Sequence, residues 1–188
     1  FPTRRSSDLG LVTIVEIMGR NAGWLTGAAA LSAGEDCEGP DLIYLPEVAF
    51  DIEDFLSRVK KLLEKKPFVI AAVSEGIRLE DGRYVCELTD GVDFVDAFGH
   101  KQLTGTANYL ARRLSQEIGC KTRSIELSSL QRAASHLASR IDILEAFQVG
   151  GAAVKAADEG DTGEMVILKR ISDDPYQCTT ELRNVHKV

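Results

Sequence analysis

No apolar run in this 188-residue chain approaches the roughly 20 residues of a membrane span, and no signal-peptide pattern is visible. Cysteine is sparse and scattered. Cys37, Cys86, Cys120 and Cys178 form no C-x-x-C pair and have no histidine at zinc-ligand spacing. Free thiols in a reducing cytoplasm are therefore expected. Positive charge is in deficit, with 22 Lys and Arg against 29 Asp and Glu and a net charge of −7. That balance argues against nucleic acid as a bulk electrostatic partner. An anionic small substrate stays compatible, because a phosphate site needs only a few converging arginines. Repeats and low-complexity segments are absent, as are a G-x-x-x-x-G-K-[ST] phosphate loop and a kinase glycine loop. What is present, 44% hydrophobic and 27% charged residues, is the balance of an ordinary globular protein. The length suits one domain with a real core, or a large piece of a bigger one.

The first nine residues, Phe1-Pro2-Thr3-Arg4-Arg5-Ser6-Ser7-Asp8-Leu9, lack helix or strand periodicity. They are the translation of TTC-CCT-ACA-CGA-CGC-TCT-TCC-GAT-CT(N), a common sequencing-library adapter. Residues 1–9 are therefore set aside as an adapter-derived, disordered artefact. Residues 10–188 are read as one portion of a longer, truncated reading frame.

From Gly10 onward, strand and helix signals alternate. Leu11–Ile17 reads as a buried strand, Asn21–Ala33 as a helix of small residues, and Asp41–Leu45 as a short strand ended by Pro46. Asp51–Lys65 carries the helical spacing of Ile52, Phe55, Val59, Leu62 and Leu63, with Asp51 as N-cap. Phe68–Val73 is a continuous apolar run, typical of a strand buried on both faces. Arg78 to Gly99 is polar, with turn signals at Asp81-Gly82 and Asp90-Gly91. Thr104–Ile118 reads as a helix ended by Gly119, followed by a strand over Lys121–Leu127. Helices over Arg132–Ser139 and Asp142–Ala157, then a strand over Glu164–Lys169, complete the pattern. The alternation predicts an α/β fold: a mostly parallel sheet with flanking helices.

The most informative segment is Val15-Glu16-Ile17-Met18-Gly19-Arg20-Asn21-Ala22-Gly23-Trp24. It puts a glycine and an arginine at the end of a buried strand, just before a helix, where open α/β sheets bind ligands. Backbone N–H groups at a helix start and a guanidinium fork both suit a phosphate. Val73-Ser74-Glu75-Gly76 places Glu75 at a second strand end. The segment from Thr122 to Arg132 sets Arg123 and Arg132 nine residues apart across a strand, a turn and a helix. Taken alone, such a pair is more often a salt-bridged surface. Trp24 reads as packing, His136 as a helix-surface residue, and Glu126 as a solvated or paired carboxylate. The acidic pairs Asp158-Glu159 and Asp173-Asp174 read as solvated turns rather than a metal site.

Together and in order, these segments resemble the phosphofructokinase family, whose Met-Gly-Arg segment holds fructose 6-phosphate. The resemblance covers Gly10 to Val188. The stretches Gly19–Trp24, Asp96–His100 and Leu103–Ala107 look like its pyrophosphate-using branch. It implies the family's substrate-binding half, with Met18, Gly19 and Arg20 against the sugar phosphate and Glu75 on the sugar hydroxyls. Arg123, Ser129, Gln131 and Arg132 would hold the 6-phosphate, one arginine serving a neighbouring subunit of a homo-oligomer. Two positions depart from ATP-using members: Ser129 stands where many have histidine, and Leu11 where some have arginine. The family's Gly-Gly-Asp-rich loop and T-I-D-N-D-like segment are not in this sequence. Accordingly, no catalytic base and no metal ligand is assigned to it, and Mg²⁺ is expected in a missing half. The resemblance implies a cytoplasmic, glycolytic parent that transfers a phosphoryl group from diphosphate to fructose 6-phosphate, giving fructose 1,6-bisphosphate. ATP as donor, or a non-catalytic sugar-phosphate-binding regulatory subunit, is the alternative. The chain by itself is expected to be inactive.

Overall fold

The computed structural model describes residues 10–88 and 104–187. The artefact expected at residues 1–9, the Asp90-Gly91 turn, the Asp96–His100 segment and Leu103 lie outside the described residues. The chain forms two compact units, Phe1–Ala133 and Ala134–Val188.

The first unit is built on four parallel strands: β1 (Leu11–Ile17), β2 (Leu42–Tyr44), β3 (Phe68–Ser74) and β4 (Lys121–Glu126), in the order β2-β3-β1-β4. β1 is rich in β-branched residues and alternates between half-buried and buried positions along its length, as a pleated strand with one core face should. Helices α2 (Ile52–Leu63) and α3 (Thr106–Glu117) return the chain to β3 and β4. Asp51 caps α2 by accepting from the N–H groups of Glu53 and Asp54. The core joins Phe55, Leu56 and Val59 of α2 and Leu110 and Leu114 of α3 to Val12, Ile14, Val69, Ala71 and Val73. Both connections run the same way along the sheet, so right-handed crossovers put both helices on one face. The β1-to-β2 connection runs the other way. The strand order therefore reverses at β1, the place where open α/β sheets leave a crevice at their C-terminal edge.

Three local expectations change. The helix expected over Asn21–Ala33 is only α1 (Trp24–Ala28), followed by a 3₁₀ turn over Ala29–Ser32. Its N-cap, Gly23, supplies no side-chain acceptor, and Trp24 is 85% exposed instead of packed. β3 is not covered on both faces, since Phe68 and Ile70 are exposed at its start. Finally, the helical turn near Arg132 precedes that residue: α4 spans Ser128–Arg132, with a separate 3₁₀ turn over Ser135–Leu137 that carries exposed His136.

The second unit packs α5 (Arg140–Glu159) on a hairpin of β5 (Glu164–Asp173) and β6 (Tyr176–Asn184). α5 starts at Ser139, whose hydroxyl accepts from the Asp142 N–H, and not at Asp142. Gly160 ends it in the left-handed conformation. β6 pairs antiparallel with β5, an arrangement that the parallel reading does not anticipate. The Asp158-Glu159 pair closes α5 rather than a loop, whereas Asp173-Asp174 does begin the hairpin turn.

Candidate functional site

The ends of three neighbouring strands coincide. Ile17 is in register with Ser74, and Glu16 with Glu126, so Met18, Glu75 and Leu127 leave the sheet at one edge. There Glu16, Met18, Arg20, Glu75, Thr104, Glu126, Ser128 and Arg132 line a cavity of about 210 Å³. It lies in the crevice that the strand-order reversal creates. A more open depression of about 620 Å³ over Phe50–Glu53 and Leu79–Asp81 offers four carboxylates and no cation, which is wrong for a phosphate.

The turn after β1 is held from several sides. Met18 N–H donates to Gln131 Oε1 at 2.9 Å, and Gly19 N–H to Glu75 Oε1 at 3.2 Å. Ser74 Oγ donates to the Gly19 carbonyl at 2.5 Å and accepts from Gly76 N–H at 3.1 Å. Two glycines are required by space. Gly19 has φ +154°, and a Cβ there would sit 2.7 Å from the Ala22 carbonyl oxygen. A Cβ on Gly76 would lie 1.9 Å from the carbonyl oxygen of Arg20. Arg78 secures the far side, donating from Nη2 to Asn21 Oδ1 at 2.9 Å and stacking over the Tyr84 ring.

Six of the eight residues singled out from sequence are thereby brought together. Met18, Arg20, Glu75 and Arg132 line the cavity, while Gly19 and Gln131 brace it by hydrogen bonds. Two are not. Arg123 is exposed on β4, in register with Thr13, which puts it three residues (roughly 10 Å of strand) from the cavity edge. Ser129 stands on α4 outside the lining, and Ser128 takes the wall position with a left-handed φ of +43°. A non-glycine residue there carries backbone strain of about 1–3 kcal/mol, of the sort found at ligand sites.

The sequence reading missed Glu16, Thr104 and Ser128 as wall residues, and left Glu126 as a surface carboxylate. Glu16 is the informative omission. It follows Val12 and Ile14 on the core-facing side of β1 and is 4% exposed. Its Oε2 accepts from Ala107 N–H at 2.8 Å. Burial pushes its carboxyl up to about 7, against the lowering effect of the Ala107 N–H, and the Glu126 and Glu75 carboxylates add to the rise. The signal available in sequence was a charged residue in phase with a buried strand face.

Chemically, two arginines and three glutamates line one cavity, and burial raises the Glu16 carboxyl to about 7. Such a wall can hold a phosphate ester on its cationic side while carboxylate oxygens accept from hydroxyl groups.

The chain matches the phosphofructokinase family over residues 3–157. A pyrophosphate–fructose 6-phosphate 1-phosphotransferase of Halomonas elongata is 41% identical over 170 residues, 90% of this chain and 40% of that protein. Among solved structures, a pyrophosphate-dependent phosphofructokinase from Marinobacter aquaeolei superposes with a TM-score of 0.70 at 32% identity, over 92% of this chain and 38% of that one. Another, from Nitrosospira multiformis, gives 0.72 at 29% identity, over 97% and 41%. The chain thus spans about 40% of the length of the curated relatives it matches.

Proposed function

The chain belongs to the phosphofructokinase family, and we propose that it forms the fructose 6-phosphate side of a pyrophosphate-dependent phosphotransferase. The observation that carries this reading is the convergence of Arg20, Arg132 and Glu75 on one cavity at the sheet's C-terminal edge. Arg20 and Arg132 would neutralise the 6-phosphate, each able to bind bidentately. Glu75 uses Oε1 for the Gly19 N–H, and Oε2 would accept from a sugar hydroxyl. With both ends of the sugar held, the 1-hydroxyl is oriented for attack on the donor. Phosphoryl transfer depends mostly on such positioning and on charge stabilisation. Pyrophosphate is favoured over ATP as donor by the names of the relatives at about 40% identity. Arg123, exposed on an edge strand, is suited to reach the site of a neighbouring copy in a homo-oligomer.

The carboxylates of this cavity do not fit a Mg²⁺ site. Among the described residues, no three acidic, histidine or cysteine groups converge as ligands. Glu16 and Glu75 are already engaged by the N–H groups of Ala107 and Gly19. The family's donor loop and proton-accepting carboxylate have no counterpart in this sequence, so its residues bind and orient the acceptor. The chain alone should bind acceptor without turnover. Its free cysteines suit a reducing cytoplasm.

Titration calorimetry tests the reading with fructose 6-phosphate against fructose. The unmodified chain should bind the phosphorylated sugar selectively. Loss of charge-assisted hydrogen bonds in Arg132→Ala should weaken binding by about tenfold or more. A folded chain that binds fructose 6-phosphate no better than fructose would overturn the assignment.

A further inference from the structure

Among the described residues, Glu16 is the only buried charged side chain, and nothing in the binding scheme above uses it. Its partner is the first turn of α3, a twelve-residue helix whose N-cap is Gly105, with no side-chain cap of its own. Glu16 Oε2 supplies an acceptor from the sheet face beneath the helix, taking the Ala107 N–H at 2.8 Å. A carboxylate at that end also complements the helix dipole. The same turn is tied a second time, because Thr106 Oγ1 donates to the Glu75 carbonyl at 3.3 Å. Thr104, two residues earlier, is part of the cavity wall.

We propose that Glu16 is a positioning residue for the sugar phosphate: it fastens the start of α3 to the end of β1 and thereby holds Thr104 in the wall shared with Arg20 and Arg132. The inference rests on the sugar-phosphate reading of the cavity. The groups facing Glu16 are Glu126 from β4, Glu75 beyond β3, and the buried Cys86 thiol from the turn over Val85–Leu88. Arg20 and Arg132 share its cavity. A protonated Glu16 keeps a carbonyl oxygen for Ala107 while removing one negative charge from the path of a phosphate dianion. Binding should therefore take up a proton at Glu16.

The test is calorimetry of the whole chain with fructose 6-phosphate at pH 7.5, in buffers of different ionisation enthalpy. It compares the unmodified protein with Glu16→Gln and Glu16→Leu, and follows Ala107 amide exchange without ligand. Glu16→Gln keeps an acceptor, so affinity should stay within about threefold while proton uptake falls below that of the unmodified chain. Glu16→Leu should exchange the Ala107 amide faster and bind about tenfold or more weakly. A folded Glu16→Leu with unchanged affinity would overturn the proposal, as would Glu16→Gln that loses as much affinity as Glu16→Leu. If Glu16→Leu does not fold, the glutamine variant decides, because unchanged proton uptake contradicts the role. Absence of binding by the unmodified folded chain would overturn the sugar-phosphate reading, and the positioning role with it.

Discussion

Gly76→Ala adds a single methyl group at the most crowded backbone crossing of the site. The new Cβ would lie 1.9 Å from the Arg20 carbonyl oxygen, 2.6 Å from its carbon and 2.8 Å from its Cα. Real Cβ contacts essentially never fall below 3.0 Å, so the backbone at Arg20 must retreat by about 1.1 Å. No flexible side chain can absorb the overlap, because all three neighbours are main-chain atoms. Overpacking of this sort costs about 1–3 kcal/mol. The Gly19 N–H to Glu75 and Ser74 to Gly19 bonds lie beside the displaced segment, and weakening one adds about 1 kcal/mol. Denaturant unfolding of the first unit should therefore show a loss of about 2–4 kcal/mol. Fructose 6-phosphate affinity should fall about tenfold or more, since 1.4 kcal/mol of misplaced arginine contact corresponds to that factor. A Gly76→Ala chain with unchanged unfolding midpoint and unchanged affinity would refute the claim that this crossing sets the position of Arg20.

Glu16 also makes stability depend on pH. Its folded-state value of about 7 lies above the ordinary 4.5, so the folded chain holds a proton that the unfolded chain releases across that interval. The stabilisation is full below about pH 4.5 and is lost as pH rises through 7, a change of about 3 kcal/mol. Urea titrations from pH 5 to 8 should show this decline, and Glu16→Gln should flatten it; an equal slope in both proteins would contradict the assignment. In the second unit, Gly151 lies inside α5, and a Cβ there meets nothing within 4 Å. Gly151→Ala should raise helix stability by about 0.5–1 kcal/mol, and a thermal melt that does not rise would contradict an uninterrupted α5.

Where a local signal governs the outcome, the sequence was easily read. β1 falls on Leu11–Ile17 because β-branched residues run together there, and α2 begins behind Asp51 because a carboxylate can cap two free N–H groups. Gly119, with φ +75°, stands just past the end of α3, where only glycine enters the left-handed region easily. Elements whose partners lie far away in sequence carry no such local signal. β6 shows little of an apolar face, so only its pairing with β5 makes it a strand. α1 is short because Gly23 cannot cap it, despite the good helix propensity of its alanines.

The site divides in the same way. Met18-Gly19-Arg20, Ser74-Glu75-Gly76 and the Gln131-Arg132 pair are contiguous strings, and their chemistry is legible without any fold. By itself, the sequence determined the strand ends and the arginine, glutamate and glycine residues that stand at them. The tertiary structure decided which of those residues share a wall. Parallel register aligned Ile17 with Ser74 and Glu16 with Glu126, bringing Arg20, Glu75 and Arg132 to one cavity. It left Arg123 down the edge strand and put Ser128 where Ser129 was expected. It also buried Glu16 under α3, giving an ordinary-looking glutamate a helix to hold and a proton to share. Register and burial arise from contacts between residues dozens of positions apart, and no local pattern encodes them.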